Sequence, residues 1–320
     1  MSTADLSIAI AKLKLNNPLM NASGCFAFGE EYRELWDNSR DLPGNPDITQ
    51  LGALITKAIS LATRPGNPHP RIVETPCGMI NSIGLQNPGF DVFISDVLPQ
   101  MSAWKIPIIA NVVGFTVAEF GEICARVENE TDANQIPALE LDLSCPNVEV
   151  GGASFANDLS MMTDAISCAR KNTSRTLIAK LSPNVCDIIA FAQAAINAGA
   201  DALTLCNTYI GMAIDVYTKH SRISRPTGGL SGPAIKPLTL HKVYLVHKAF
   251  PDVPIIASGG IANYLDALEY LIAGATGLQL GTGLWYDPLL PFKILNGLNE
   301  YLIKFQLNSI LEVIGTFQEW

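Results

Sequence analysis

Residues 138–155 read ALELDLSCPNVEVGGASF, and this segment predicts a strand that leads into a glycine-bearing loop. From residue 138 to residue 144, leucines alternate with polar side chains, a pattern typical of a strand with one apolar and one polar face. The tripeptide CPN at 145–147 then ends the strand, and two glycines at 151–152 allow the loop to fold back. A cysteine on such a loop can be brought over a pocket and withdrawn, so the rest of the sequence has to define that pocket.

Seven other short apolar runs also end in glycine, proline or a polar residue, and amphipathic helical segments separate most of them. A strand followed by a helix, repeated eight times, predicts an α/β fold of the (β/α)8 TIM-barrel type, with residues 1–320 in a single domain. A doubly wound sheet would need a glycine fingerprint after its first strand and an acidic residue about twenty residues later, and the chain shows neither. The predicted strands are 18–24, 52–58, 107–114, 138–145, 177–183, 200–208, 254–260 and 277–283, and the clearest predicted helices are 117–127, 159–171, 187–198, 238–249 and 264–273.

The remaining segments are connections and a tail. Residues 38–47 and 217–229 are predicted to be long loops, and the second is a candidate lid over the pocket. The tail 291–314 is predicted to be helical and either to cap the barrel or to join an interface. No linker or low-complexity segment separates a second domain.

The composition predicts a globular protein of the cytoplasm. Of the 320 residues, 48% are apolar and 16% are charged, so the chain can bury a large core. Its net charge of −9 argues against a surface for nucleic acid or anionic membranes, and no apolar run is long enough to span a membrane. The opening segment MSTADLSIAIAKLKL does not read as a signal peptide. Seven scattered cysteines without a C-x-x-C pair predict free thiols and no zinc or iron–sulfur cluster held by this chain.

The ends of the predicted strands carry the candidate site, because active sites of such barrels lie at the C-terminal ends of the strands. Two lysines there would be costly if unpaired, so they indicate either a bound anion or structural carboxylate partners. Strands seven and eight end in glycines, at 258–260 and 281–283, which is typical of a barrel phosphate site. A phosphate group, amides and lysines around a flat ligand, and a cysteine loop above it predict bound FMN with a planar substrate stacked on it. The last inward-facing residues of strands two to six are Lys57, Asn111, Asp142, Lys180 and Asn207.

Motifs along nearly the whole chain carry a family resemblance. They are ASGCFAFGEEY (22–32), ITKAIS (55–60), RPGNPHPR (64–71), GMINSIGLQNPG (78–89), IIANVVG (108–114), SCPNVEVGG (144–152), KLSPNV (180–185), CNTYIGMAIDV (206–216), TGGLSGPAIKP (227–237), GGIANYLDALEYLIAGA (259–275) and LGTG (280–283). Together they resemble type 1 dihydroorotate dehydrogenases, the flavin enzymes that form orotate in pyrimidine biosynthesis. The resemblance implies a cytoplasmic FMN enzyme that oxidises dihydroorotate.

Two details resemble the type 1B branch of that family. They are GLQNPG, where the fumarate-linked branch has a proline after the leucine, and the paired glycines after CPNVEV. This branch implies a homodimer of catalytic subunits that forms a heterotetramer with a second subunit carrying FAD and a 2Fe–2S cluster, which passes electrons to NAD. The sequence leaves the electron acceptor open between NAD through that partner and fumarate.

The resemblance also implies a role for each site residue. Cys145 is the expected general base, which removes a proton from C5 of dihydroorotate while hydride leaves C6 for flavin N5. Lys57 is expected to bind the substrate carboxylate and the flavin, and Lys180 to lie by the flavin N1–C2=O edge, where reduction places negative charge. No metal ligand is expected. The other expected substrate contacts are Asn81, Ile83, Gly84, Leu85, Asn147, Asn207 and Thr208, and the expected FMN contacts are Ala22, Ser23, Lys57, Asn111, Asp142, Lys180, Gly232, Gly259, Gly260, Gly281 and Thr282.

One residue departs from the family pattern. The family reads Leu-Asn-x-Ser-Cys-Pro-Asn, and this chain has Asp142 in place of the asparagine. An ionised aspartate only accepts hydrogen bonds, and its charge opposes an anionic substrate and raises the pKa of a nearby thiol. Three explanations stay open: Asp142 pairs with Lys57 or Lys180, it is held protonated, or the substrate is another dihydropyrimidine, such as dihydrouracil, that lacks the carboxylate. A fourth alternative is a flavin-binding subunit with poor turnover.

Overall fold

The computed structural model describes residues 4–39, 41–42, 45–144 and 155–320. Its regular elements are short strands alternating with helices. The strands are β1 (Ile8–Ile10), β2 (Leu13–Leu15), β3 (Leu19–Asn21), β4 (Leu54–Ile55), β5 (Ile72–Thr75), β6 (Gly78–Asn81), β7 (Ile108–Val112), β8 (Ala138–Asp142), β9 (Thr176–Lys180), β10 (Ala202–Leu205), β11 (Tyr209–Gly211), β12 (Gly228–Ser231), β13 (Ile255–Ser258) and β14 (Gly277–Leu280). The helices are α1 (Glu30–Asp37), α2 (Phe90–Val92), α3 (Leu98–Ser102), α4 (Val117–Glu130), α5 (Leu159–Lys171), α6 (Ile188–Asn197), α7 (Lys236–Ala249), α8 (Tyr264–Ile272), α9 (Gly283–Tyr286) and α10 (Leu290–Phe305).

Eight parallel strands form the barrel, in the order β3-β14-β13-β10-β9-β8-β7-β4. A parallel bridge between Met20 and Ala53 joins the first and last strands and closes the ring. The barrel strands are buried along their whole length, because one side of each packs in the barrel interior and the other under the helices. Each overlaps one of the eight runs predicted from sequence, so the (β/α)8 fold is confirmed.

The outer helices also follow the sequence pattern, and side-chain caps mark where they begin. Asp158 caps α5, Asp187 caps α6 and Asn263 caps α8. The prediction of one helical tail over 291–314 was wrong in its extent. Helix α10 ends at Phe305, because Gln306 adopts a left-handed conformation with φ 57°, and a separate short turn follows at Ile310–Glu312.

A second sheet was not predicted. It is antiparallel, with the order β11-β12-β6-β5, and its strands come from the connections that follow barrel strands β4 and β10. These connections leave the C-terminal ends of the barrel strands, so the sheet lies at the mouth of the barrel. Gly229 on β12 has room only for hydrogen, because a Cβ there would lie 2.0 Å from Thr208 Oγ1. The last two residues of the predicted loop 217–229 belong to β12, so the loop ends at residue 227.

The opposite end of the barrel is covered by the β1–β2 hairpin. Its inward side chains, among them Ile10 and Leu15, are buried. A Cβ on Gly277, where β14 begins, would lie 3.4 Å from Ile10 Cδ1, which places the hairpin at the N-terminal ends of the barrel strands. Within the described residues, no helix is both long and apolar enough to cross a membrane.

Arg175, the residue before β9, forms hydrogen bonds that join the connection between α4 and β8 to the barrel. Its buried guanidinium donates to the carbonyl oxygens of Val127, Thr131 and Ile136 and forms an ion pair of 3.1 Å with Glu128. Replacing Arg175 by methionine leaves several buried carbonyls without their donor and removes the cation that faces Glu128, whose carboxylate then keeps, among the described residues, only the hydrogen bonds from Thr173 and Ser174. We expect the free energy of unfolding to fall by roughly 3–5 kcal/mol, measured by denaturant titration.

The matched control is Lys248→Met, which removes an ion pair with Glu319 in which both side chains are exposed. Such pairs contribute little to stability, so this variant should unfold at the same denaturant concentration as the parent chain. Equal behaviour of the two variants would contradict the structural role given to Arg175.

Candidate active site

Two adjoining cavities open at the C-terminal ends of the barrel strands. The first, here called the glycine cavity, has about 500 Å³ of empty space, part of it open to solvent, and is lined by residues that follow β12, β13 and β14, including Gly232, Gly260 and Gly281. The second, the amide cavity, encloses about 950 Å³, part of it open to solvent, and is lined by residues that include Lys57 and Asn81. The two share a wall and form one continuous space. The shared wall consists of Ser23, Cys25, Lys180, Asn207, Thr208 and Ser231.

Nearly all the residues predicted for the site lie in the wall of this space. Cys145 and Asn147 lie outside the described residues. Asn111 lines neither cavity: it lies in the barrel interior, where its amide oxygen has no hydrogen-bond partner among the described residues. The predicted residues in the glycine cavity are Ala22, Ser23, Lys180, Asn207, Thr208, Gly232, Gly259, Gly260, Gly281 and Thr282, and those in the amide cavity are Ser23, Lys57, Asn81, Ile83, Gly84, Leu85, Asp142, Lys180, Asn207 and Thr208.

Glu140 forms the centre of a buried polar network beside this space, and sequence reasoning did not single it out. The carboxylate is fully buried, and its Oε1 accepts from Asn111 Nδ2 at 2.7 Å and lies 3.5 Å from Lys180 Nζ. Its Oε2 accepts from Thr204 and Gln279. Because both oxygens face donors, the geometry suits an ionised carboxylate. The signal was present in the alternation of 138–144, which puts Glu140 on the same inward face as Asp142.

The two lysines of the site differ in their surroundings. Burial disfavours the ammonium of Lys180, but the negative charges of Glu140 and Asp142 outweigh burial, so the pKa of Lys180 is raised. Lys57 is half-buried, and burial together with the charge of Arg71 lowers its pKa. Among the described residues Lys180 has a structural carboxylate partner and Lys57 has none. Lys57 is therefore the cation left for a ligand anion.

Asp142 is anchored by hydrogen bonds rather than by a lysine. Its Oδ1 accepts from the Ser144 hydroxyl at 2.8 Å and lies 3.5 Å from Asn207 Nδ2. No ion pair joins Asp142 to Lys57 or Lys180 in the described part of the chain, although its charge is felt at Lys180. The explanation that Asp142 is neutralised by direct pairing with a lysine is therefore wrong for this structure.

Asn207 is held in place from three sides. Its Nδ2 donates to the Ser144 hydroxyl at 2.7 Å and faces Asp142, and its Oδ1 accepts the backbone N–H of Thr208 at 2.8 Å. The amide is thus oriented by protein groups before any ligand binds. Asn81 is freer, since its Nδ2 donates to the Gly229 carbonyl at 3.2 Å and its amide oxygen has no partner among the described residues.

The glycine cavity fits the phosphate end of FMN. The backbone N–H groups of Gly260, Gly281 and Thr282 make no hydrogen bond to any other described residue. Gly260 has φ 71°, and a Cβ on it would lie 2.8 Å from Lys236 Cβ, so a larger residue would disturb this approach. Free backbone N–H groups on a tight turn are the donors that phosphate oxygens require.

A third, open cleft leads into the amide cavity, and its charge was not foreseen. It is lined by Lys57, His69, Arg71 and Trp285, and none of the described residues that line it is acidic. In the described part of the chain the guanidinium of Arg71 donates to carbonyl and amide oxygens, those of Asn67, Pro65 and Gln86, and to no carboxylate. On a chain with a net charge of −9, this cleft is a local cationic surface.

The chain is similar to one known family over most of its length. The family model described as dihydroorotate dehydrogenase matches residues 5–302. The chain is 44% identical over 318 residues to the dihydroorotate dehydrogenase B (NAD(+)), catalytic subunit, of Geotalea daltonii, covering 99% of this chain and 100% of the relative. It is 42% identical over 315 residues to the protein of the same name from Bacteroides fragilis, covering 98% of this chain and 99% of the relative. A third relative of that name, from Citrifermentans bemidjiense, is 42% identical over 318 residues, covering 99% of this chain and 100% of the relative.

Cys25 also lines both cavities, and its reactivity can be tested. Burial raises the pKa of its thiol to about 11, and the opposing charge of Lys180 is a smaller effect. We expect iodoacetamide to label Cys25 at least roughly 100-fold more slowly than the exposed Cys77 at pH 8, because little thiolate is present. Mass spectrometry of the labelled peptides measures both rates.

The labelling of Cys25 should also rise roughly tenfold per pH unit up to its pKa, since only the thiolate reacts. Equal rates for Cys25 and Cys77 at pH 8 would contradict this view of the thiol. A thiol that is protonated at neutral pH is a poor general base, so Cys25 does not take over the role expected of Cys145.

Proposed function

The chain belongs to the dihydroorotate dehydrogenase family, and we propose that it oxidises dihydroorotate to orotate in pyrimidine biosynthesis, with FMN as the hydride acceptor. One observation carries the proposal. A glycine-lined cavity, with backbone N–H groups that bond to no described residue, adjoins an amide-lined cavity in which Lys57 has no ion pair with a described residue, and Lys180 lines both. The first suits a phosphate-bearing flavin, and the second suits a planar anion with polar edges.

Substrate orientation would come from complementary charges and amides. Lys57 would bind the carboxylate of dihydroorotate, and the amides of Asn81, Asn147 and Asn207 would meet the pyrimidine edges. Ile83, Gly84, Leu85 and Thr208 complete the expected substrate contacts. Because Asn207 is already fixed by Ser144 and Asp142, it would present its amide without a further ordering cost.

Two residues would handle the reacting charges. FMN, when bound, supplies the acceptor for the hydride from C6. Cys145 would take the proton from C5; the residue before it, Ser144, is hydrogen-bonded to Asp142 and Asn207 at the edge of the amide cavity. Lys180, kept charged by Glu140, would stabilise negative charge at the flavin N1–C2=O edge. Asn111, whose amide oxygen has no partner among the described residues, would accept a hydrogen bond from a ring N–H of the flavin.

We further propose that residues 1–320 act as one FMN-binding domain in the cytoplasm, and that the chain works as the catalytic subunit of a complex. The relatives are named catalytic subunits, which implies a partner subunit. The proposed partner carries FAD and a 2Fe–2S cluster and passes electrons to NAD, in a heterotetramer with two copies of this chain. Exposed apolar side chains next to the free edge of β11 support the homodimer: Ile210, Met212, Ile214, Val216 and Tyr217.

Anaerobic reduction of the bound flavin tests the activity. We expect dihydroorotate to bleach the FMN absorption of the purified chain, without a partner or an electron acceptor. The Cys145→Ser variant should keep its FMN and bleach more slowly by roughly 10²-fold or more, because a general base contributes at least that much. Bound FMN that dihydroorotate leaves oxidised would contradict the proposal, and bleaching by dihydrouracil instead would identify the alternative substrate class.

Asp142→Asn tests whether the departure from the family pattern matters. Removing this charge from the wall that holds Lys57 and Lys180 should favour an anionic substrate, so we expect the KM for dihydroorotate to fall roughly tenfold. The KM for a neutral dihydropyrimidine should not change. Asp96→Asn, an equal charge change that lies in neither cavity, is the control. An unchanged KM for dihydroorotate would show that the charge of Asp142 does not oppose the substrate.

A further inference from the structure

The turn that follows β13 is held by side chains that never reach a cavity. This clamped turn, residues 259–262, begins at Gly259, whose carbonyl accepts the hydroxyl hydrogen of Tyr270 at 2.6 Å. Tyr270 lies on α8 and is fully buried. It lines neither the glycine cavity nor the amide cavity.

The other end of the clamped turn is held by Asp266, also on α8. Its Oδ2 accepts the backbone N–H of Ala262 at 2.9 Å, and its Oδ1 forms an ion pair of 2.6 Å with Lys236. Lys236 begins α7, so this ion pair joins α7 to α8 behind the turn. One carbonyl and one N–H of the same short segment are therefore fixed from the same helix.

Between these two anchors lies Gly260, whose N–H is free and whose Cα is packed against Lys236. Gly259, Gly260 and Ile261 all line the glycine cavity. The turn thus borders a ligand space, whereas the side chains that hold the turn are buried and line neither cavity. Such an arrangement sets donor positions in advance and lowers the ordering cost of binding.

We propose that Tyr270 and Asp266 are positioning residues for the ligand phosphate: they hold the clamped turn so that the N–H of Gly260 is available to a phosphate oxygen. The proposal rests on the proposed function, since the phosphate is that of FMN. Neither residue touches the flavin ring or the substrate. Their contribution is to the affinity for the phosphate-bearing cofactor and not to the rate of hydride transfer.

Comparing FMN with riboflavin isolates the phosphate. Apo protein is titrated with each flavin, and the quenching of flavin fluorescence gives both dissociation constants. In Tyr270→Phe, which removes one hydroxyl and keeps the ring, the Kd for FMN should rise roughly fivefold, the loss of about one hydrogen bond, while the Kd for riboflavin stays within about twofold. The rate of reduction by dihydroorotate at saturating FMN should not change.

Tyr244→Phe is the matched control. It deletes a hydroxyl on α7 that bonds to Glu319 on the exposed side, and it should leave both dissociation constants unchanged. Asp266→Asn is the second test variant, which keeps the side-chain shape, removes the charge and should also weaken FMN selectively.

Two results would overturn the proposal. One is an unchanged FMN Kd in both Tyr270→Phe and Asp266→Asn, and the other is an equal weakening of FMN and riboflavin, which a merely structural role would give. Either result leaves the proposed function intact as long as the parent chain binds FMN. A parent chain that binds FMN but is not reduced by dihydroorotate would instead contradict the activity and leave the positioning role standing.

Discussion

The contact between Glu140 and Lys180 is the constraint on which the barrel interior depends. A carboxylate with no access to water is tolerable only if every lone pair finds a donor, and here the donors come from β7, β9, β10 and β14 around β8. Five strands must therefore keep one register for the charge to be satisfied. The same carboxylate lies beside the ammonium of Lys180, which lines both cavities. Glu140 therefore contributes both to the register of the barrel strands and to the charge of the site.

The two cavities divide the work between backbone and side chains. The glycine cavity offers backbone N–H groups, and side chains of helix α8 hold one of the turns that carry them, residues 259–262. The amide cavity offers polar side chains, of which Asn207 is oriented by its neighbours and the ammonium of Lys57 has no hydrogen bond to a described residue. The more rigid glycine cavity suits a cofactor that stays bound, and the less constrained amide cavity suits a substrate that exchanges. Flavin enzymes need both.

Sequence was sufficient wherever one local rule governed the structure. Short apolar runs with polar ends predicted the barrel strands, and the rule that barrel sites lie at strand ends then gathered Lys57, Asp142 and Lys180 into one place. Sequence-based prediction failed where a residue's partners are distant in the chain. The antiparallel sheet β11-β12-β6-β5 consists of strands of three or four residues without an alternating pattern, so the sequence did not predict it. The role of Glu140 depends on donors from other strands, and that of Arg71 on the lack of an acidic side chain among the described residues of the cleft.

The charge of Arg71, which has no carboxylate partner among the described residues, affects the rate at which an anionic metabolite reaches the open cleft. A chain with a net charge of −9 repels such a molecule on average, and the positive charges of Lys57 and Arg71 in the cleft attract it locally. An anionic ligand is therefore expected to approach the site mainly through this cleft. Dissolved salt weakens both the general repulsion and the local attraction, so the capture efficiency of this protein is tied to the ionic strength of its surroundings.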